Sequence, residues 1–427
     1  MPHTGSVTSH IAGRRDVWRA IGWAVLAIAA AAYYGRYAKT IISWSVYMDG
    51  ARCLWDGQVL LECASDFTYP PALALAMIPF LALSPTLQLV IWYLISIVAA
   101  VACVALCEAL VRRLYPNADS EPNATWIRVI SLLLSLKFIL SVLTYQSYDL
   151  LVFCLILLGL WALASGRALT AGGILAVVTA LKATPLMFLP YLLLKRRFAA
   201  ALVFIVVLAL CCVLPDLFSV LKGGRSDYFE NWISQVVGPA LTPGGSSSRF
   251  FWHTWMGQSH GNLSLRGVMN RLVREPNWGV EPRAALAMSY VVVATAIALL
   301  LALSARRDKL IAVDGAILLI GMLALSPISS RYHFILLMLP YTVLAAACLC
   351  DRRMRAFGAV VLFMSFILAT GTSNDVGGQS LAEFSHAHGF LLAGALILLV
   401  PLGRIIWMER LTSGQAGSDD LSAGKSR

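Results

Sequence analysis

The chain has 427 residues, of which 59% are hydrophobic and only 13% charged. A soluble domain carries roughly 25% charged residues, so this composition excludes a soluble enzyme with a membrane tail and describes a chain whose apolar runs face lipid. The net charge of +11 does not indicate nucleic acid, because the Lys and Arg residues form no stripe with interleaved aromatics.

The basic residues instead fall in short clusters between apolar runs: Arg14-Arg15, Arg112-Arg113, Lys195-Arg196-Arg197, Arg306-Arg307, and Arg352-Arg353 with Arg355. This is the pattern of cytoplasmic loops. Residues 1–16 are read as a cytoplasmic N-terminal segment and Val17 to about Tyr34 as the first span, an uncleaved anchor. A polar segment follows, Ser43 to Tyr69. Pro70-Pro71 then opens an apolar run to Leu83, a favourable use of proline at a helix start. Ser84-Pro85 interrupts, and Leu87–Val111 is a full-length span. Further apolar runs lie at about Trp126–Leu143, Leu150–Ala164, Ala168–Leu181, Leu186–Leu194, Phe198–Leu214, Ala284–Leu303, Leu310–Leu325, Phe334–Cys350, Phe357–Ala369 and Phe390–Trp407.

Several of these runs are shorter than the ~20 residues that cross a bilayer core. Short helices must be shielded by protein or line a cavity, because lipid satisfies no backbone polar group. The breaks at Ser84-Pro85 and Ala183-Thr184-Pro185 fit either an enclosed cavity or simple kinking. With the basic clusters inside, three polar segments fall outside: Ser43–Tyr69, the loop from about Val220 to Arg283, and the turn Ser326–His333. Before Lys195 the parity depends on whether Pro71–Leu83 crosses or re-enters. The expected architecture is an all-α integral membrane bundle of about 10–12 transmembrane helices, a single domain over 17–410 with a disordered Gly/Ser-rich cytoplasmic tail at 411–427. There is no internal repeat of the kind that builds inverted-repeat transporters.

The nine cysteines include no CxxC spacing, so no zinc site is expected. Cys103, Cys107, Cys154, Cys211, Cys212, Cys348 and Cys350 lie in apolar runs and read as small core residues. Cys53 and Cys63 share the first outer loop, where an oxidising compartment permits a disulfide.

The strings that carry a resemblance are Val46-Tyr47-Met48-Asp49-Gly50-Ala51-Arg52, Gly57, Phe67-Thr68-Tyr69-Pro70-Pro71, Gln146, Leu181-Lys182-Ala183-Thr184-Pro185, Gly261-Asn262-Leu263-Ser264-Leu265-Arg266-Gly267, and the turn Ser326–His333. In this order they resemble glycosyltransferase family 87, transferases of the GT-C superfold that use a sugar carried on polyprenyl phosphate. The chain is similar to members that extend phosphatidylinositol mannosides in mycobacteria, and its first loop resembles the catalytic subunit of GPI mannosyltransferase I. The resemblance implies an inverting transfer of a sugar, mannose foremost, from a lipid phosphate donor to a glycolipid or glycan acceptor. It places the active site on the extracytoplasmic face of the cell (inner) membrane, among membrane lipids, with no cofactor or metal and no nucleic-acid partner. A transporter or flippase of a lipid-linked sugar is the alternative, as is a catalytically inert member.

That chemistry needs a carboxylate near the acceptor hydroxyl and donors near the leaving phosphate. Asp49 is the first candidate base, with a solvated loop carboxylate as the plain alternative. His333 and Arg331 follow a proline turn and are candidate active-site groups or interfacial anchors. Lys182, a charge inside an apolar run, is a functional candidate by default unless it snorkels. Asn262, Ser264 and Arg266 are candidate contacts to lipid phosphate, Gln146 to a sugar hydroxyl, and Tyr69 to the donor or the interface. The family carries an acid four positions before the aromatic matched by Tyr47, and here that position is Ser43. Asp49 or Asp66 substitutes for it, or the register or the chemistry differs.

Overall fold

In the computed structural model, residues 31–39, 41–241, 261–274 and 282–423 are described. The expected N-terminal segment, the start of the first span and parts of the Val220–Arg283 loop, 242–260 and 275–281, lie outside them. The described residues are helical, with no strand among them. Among the described residues, seven helices are long and apolar enough to cross a membrane, and the protein is an all-α polytopic membrane protein. Its outer surface is apolar: Leu202, Ile205, Leu210 and Val213 on one helix, and Met288, Val291 and Val292 on another, are exposed. Such side chains need lipid as their solvent.

Residues 31–37 are helical; after them α1 (Ser43–Trp55) lies over one end of the bundle and buries Tyr47, Gly50, Ala51 and Leu54 on one face. These four share a face at helical spacing. Next comes α2 (Pro71–Met77), continued by a tighter turn to Ala82. Twelve helical residues span only ~18 Å. Tyr69, just before α2, packs against Tyr47 and Tyr148. Phe80, near its far end, packs against Trp44 and Trp92. Both ends therefore sit at the same end of the bundle, and the segment re-enters rather than crosses.

The long α3 (Pro85–Leu114) starts from Ser84, whose hydroxyl accepts the Leu87 N–H, a serine N-cap. It ends in the basic pair Arg112-Arg113. Then follow α4 (Glu121–Tyr145), α5 (Asp149–Ala164), α6 (Ala168–Leu181), α7 (Phe188–Leu194) and α8 (Phe198–Leu221). α5 and α6 are shorter than a bilayer core; α5 is largely buried, and α6 buries one face while Leu169 and Val177 are exposed. α6 can approach α8 closely because a Cβ at Gly172 would overlap the Ala200 carbonyl, the small-residue contact that membrane helices favour.

After α8, the amphipathic α9 (Leu265–Arg274) precedes α10 (Pro282–Ser304) and α11 (Ile311–Leu325). Every residue of α11 from Ile311 to Ala324 is buried. A helix apolar all round belongs at the centre of a bundle, and α11 packs there against α12 (Met338–Cys350). α13 (Arg352–Phe366), α14 (Asn374–His388), α15 (Phe390–Leu396) and α16 (Leu399–Ala423) complete the chain. α16 runs past Leu411 to Ala423, where a disordered tail was expected. No proline follows Pro401 to remove a backbone donor, so the helical ladder continues. Residues 424–427 lie outside the described part.

The two ends of the bundle differ in chemistry. At one end the basic clusters meet their partners: Lys195 Nζ donates to Arg307 O at 2.8 Å, Arg197 pairs with Asp308, and Lys309 bonds Glu409 at 3.0 Å. At the other end the polar segments converge. Lys222 Nζ donates to Trp55 O at 2.6 Å, Trp232 donates to Thr68 O at 3.1 Å, and Leu263 N donates to Ser329 O at 2.7 Å. The three segments read as lying outside thus share one end, with the chain around Ser326–His333 beneath them.

Cys53 and Cys63 are bonded, with Cα atoms 5.9 Å apart, closing the loop between α1 and α2. A cross-link over so short a loop is worth about 2–3 kcal/mol. The Cys53→Ser/Cys63→Ser variant is expected to unfold several degrees earlier in a thermal melt in detergent. An unchanged melting temperature would show that the link contributes nothing to the fold.

Candidate active site

The loop end of the bundle holds one buried group of charges, formed where α5 begins, α6 ends and the Ser326–His333 turn closes. Asp149 is the first residue of α5, and its side chain is 2% exposed. Lys182 follows the last residue of α6 in an extended conformation, where the helix is stopped by Ala183-Thr184-Pro185. Its ammonium pairs with Asp149 Oδ1, and Ser147 Oγ donates to Oδ2 of the same carboxylate. His333 Nε2 lies 3.8 Å from Asp149 Oδ2. Lys182 and His333 are 15% and 14% exposed, so the cluster is enclosed without being sealed.

The imidazole of His333 is held by its other nitrogen. Nδ1 accepts the Ser330 N–H at 2.9 Å, in a reciprocal cap at the start of the turn Arg331–Leu337. An accepting Nδ1 places the proton of a neutral imidazole on Nε2. His333 therefore presents an N–H to the cluster, and it is built as a donor rather than as a free base.

An aromatic wall encloses the charges. The rings of Tyr47, Tyr69 and Tyr148 pack edge-to-face with centroids 5.3–5.4 Å apart. The Tyr47 hydroxyl accepts the Tyr148 N–H at 3.4 Å, and Tyr148 donates to Leu181 O at 3.2 Å beside Lys182. Lys182 Nζ sits 5.5 Å from the Tyr148 ring centroid, within cation–π range. Tyr332 packs on His333 at 4.6 Å and on Tyr145 at 5.4 Å. Gly50 is required here, since a Cβ would run into the ring of Phe67, which braces Tyr69.

On the other side of Tyr332 a cavity of about 210 Å³ opens, and Ser43, Tyr145, Ser330, Arg331, Tyr332 and His386 contribute to its wall. The Ser330–His333 turn thus divides a charged cluster from a cavity that has a guanidinium at its edge.

Among the residues singled out from sequence, Lys182 and His333 meet at Asp149, while Arg331 lines the adjoining cavity. Tyr69 belongs to the aromatic wall. Asp49, Gln146, Asn262, Ser264 and Arg266 are placed differently. Asp49 sits on the outward face of α1, 54% exposed, and pairs with Arg52 at 3.2 Å. Helical phase explains this, because burial of Tyr47, Gly50 and Leu54 turns residue 49 toward solvent. Gln146 is fully buried in a left-handed conformation (φ 54°), and its amide bonds the backbone: Oε1 accepts Ile42 N–H at 3.2 Å and Nε2 donates to Tyr37 O at 2.8 Å. Asn262 holds the outer loop onto the turn, accepting from Ser264 N and Ser329 N at 3.1 Å and donating to Pro327 O at 3.0 Å. Ser264 caps α9 by accepting the Gly267 N–H and donates to Pro327 O, and Arg266 donates to Ala240 O. For Gln146, Asn262, Ser264 and Arg266 the polar side chain supplies a partner to a backbone group.

Sequence reasoning missed Asp149. The available signal was an acid opening the apolar run Leu150–Ala164, three residues after Gln146, and a charge at the edge of a membrane run is a functional candidate by default. Asp49→Asn is now expected to leave transfer within about twofold of wild type, since exposed pairs are worth about 0–1 kcal/mol. A rate assay at equal protein level checks this, and abolished transfer would return Asp49 to the site.

Fold and cluster together define a membrane-embedded protein with an enclosed, charge-paired cleft at one end of a helical bundle. The sequence model of glycosyltransferase family 87 matches residues 67–327, more than half of the chain, and the chain belongs to that family: it is a membrane glycosyltransferase. The match takes in Asp149 and Lys182 and stops just short of Arg331 and His333. Comparisons with curated proteins and with solved structures found no match.

Proposed function

We propose that the protein transfers a sugar, mannose foremost, from a polyprenyl phosphate to a hydroxyl of a glycolipid or glycan acceptor, with inversion, at the extracytoplasmic face of the cell membrane. The observation that carries this reading is the Lys182–Asp149–His333 cluster, buried at the loop end of a bundle whose flanks face lipid. A donor whose phosphate sits at the membrane surface and whose chain lies in the bilayer can reach such a cluster from the side. The basic clusters at the opposite end support an orientation with that end in the cytoplasm.

In this mechanism negative charge stays on the departing lipid phosphate. Lys182 and the His333 Nε2–H supply preorganised donors for it. Asp149 is a positioning residue: it fixes the Lys182 ammonium and orients the imidazole. Arg331, across the turn, adds a second cation within the adjoining cavity. The tyrosine wall offers flat apolar faces with polar edges, which suit a sugar ring or the first isoprene units.

The test is a comparison of donors with the purified full-length protein in vesicles. Polyprenyl phosphomannose and a mannose nucleotide are offered separately with a glycolipid extract. Mannosylated product is expected from the polyprenyl donor alone. Product from the nucleotide alone would overturn the donor assignment, and translocation of intact donor with no product would identify a flippase.

A further inference from the structure

At the basic end of the bundle, the outer wall is interrupted by a groove. α4 and α13 each pack along α12, and between them a cleft of about 390 Å³ opens. Ala345 and Leu349 of α12 form its floor, Ile130 and Leu134 of α4 one wall, and Leu362 and Phe366 of α13 the other. The residues of each wall are four positions apart, so each wall is a single helix face. Phe363, at its edge, is exposed, which leaves the groove open to the bilayer.

Charge and length both restrict what fits there. Among the described residues, one charged side chain lines the groove, that of Arg355 in the first turn of α13. Arg352, three positions earlier, lies on the same side of the helix, and both are exposed. Arg353 is taken by Asp351, through Nε at 3.2 Å and Nη2 at 3.1 Å, whereas Arg352 and Arg355 have no ion pair among the described residues. Arg355 and Phe366 are 11 positions apart, about 16 Å of helix. Half of a hydrocarbon core is about 15 Å. The groove therefore runs from the membrane surface through one leaflet. Lys137, three positions beyond Leu134, donates from Nζ to Ala369 O at 2.8 Å, and this tie between α4 and the chain after α13 sets the spacing of the two walls.

We propose that the groove binds an anionic phospholipid of the leaflet at the basic end, with one acyl chain along the groove and the phosphate on Arg355, beside Arg352. A guanidinium and a phosphate form a charge-assisted pair, and basic pockets between membrane helices take anionic headgroups. An apolar cleft one leaflet deep matches a single acyl chain. The phosphate of a donor presented at the loop end lies across the membrane from Arg355, so this site is separate from the one at Lys182 and does not depend on which sugar donor the protein uses.

The test uses full-length protein purified in detergent and freed of lipid. It is titrated with phosphatidylglycerol and, separately, with phosphatidylcholine of the same acyl chains, and bound lipid is counted by native mass spectrometry. Wild type is expected to bind a first phosphatidylglycerol at least about fivefold more tightly than phosphatidylcholine, the effect of one basic residue on an anionic lipid. Arg355→Gln, a change on an exposed side chain, should weaken phosphatidylglycerol by about fivefold and leave phosphatidylcholine within about twofold. Ala359→Phe places a ring in the groove from an exposed position and should abolish the preferred first binding of phosphatidylglycerol. Equal binding of the two lipids by wild type would overturn the proposal, as would wild-type phosphatidylglycerol affinity in either variant. Polyprenyl phosphate is the third probe, and both variants should bind it as wild type does. Its loss in Arg355→Gln and Ala359→Phe would make the groove part of the donor site and would overturn the phospholipid assignment.

Discussion

Lys182→Ala is expected to slow sugar transfer by about 10²–10³-fold, the usual effect of removing one preorganised donor from a developing or departing charge. The ammonium is 15% exposed, fixed against Asp149 and backed by the Tyr148 ring, so its position is set before the donor arrives. Lys182→Arg keeps the charge but not the compact geometry, and should retain part of the rate. Asp149→Asn breaks the same pair from the other side. It leaves Lys182 enclosed without its anion, and breaking one side of a buried pair costs about 3–5 kcal/mol. That variant is expected to lose both protein level and activity; Lys182→Ala strands the Asp149 carboxylate in turn, with Ser147 as its remaining donor within hydrogen-bond distance, and also lowers protein level. Turnover at matched protein level, together with polyprenyl phosphate binding, separates the two. Wild-type turnover in Lys182→Ala would show the lysine to be an anchor.

The largest effect on stability is expected at the opposite end of the bundle. Lys195 and Asp314 form an ion pair at 2.8 Å with side chains 1% and 0% exposed. The remaining hydrogen-bonding capacity is filled: Lys195 donates to Ser304 O at 3.1 Å and Arg307 O at 2.8 Å, while Asp314 accepts from Ser304 Oγ and from the Tyr191 hydroxyl at 3.1 Å. This network joins the chain after α7, the end of α10 and the first turn of α11. Asp314→Ala should destabilise the protein by about 3–5 kcal/mol, because it strands a buried ammonium. Lys195→Met with Asp314→Leu should recover most of that loss, since an apolar pair of similar volume can replace a buried ion pair at little cost. Thermal unfolding in detergent reads both. An Asp314→Ala variant as stable as wild type would mean that water or relaxation compensates the lysine.

Much of this architecture is legible in the sequence, for physical reasons. Apolar run length and the placement of basic clusters are local properties, so the spans, the two chemically distinct ends and the Cys53–Cys63 pair can be read without a structure. Re-entry of Pro71–Ala82 is not legible from the run itself, because it depends on Phe80 finding Trp44 and Trp92. Lys182 and His333 stand out because a charge beside an apolar run is costly without a purpose. Asp149 does not stand out in the same way, because an acid at the first position of a helix is also an ordinary partner of the helix dipole. Gln146 and Asn262 are ambiguous in the sequence for the opposite reason. An amide can bind a ligand or satisfy backbone, and their partners at Tyr37, Ile42, Pro327 and Ser329 lie far away in sequence.

Acceptor-dependent cleavage of the donor is the most direct test of a polyprenyl-phosphate-dependent transferase. Purified protein is mixed with radiolabelled polyprenyl phosphomannose, with and without a glycolipid acceptor fraction, and free polyprenyl phosphate is measured over time. Its release is expected only with acceptor present, in step with product, and at least about 10²-fold more slowly in Lys182→Ala. Release that ignores the acceptor, or no release under any condition while labelled donor crosses the membrane intact, would contradict the account.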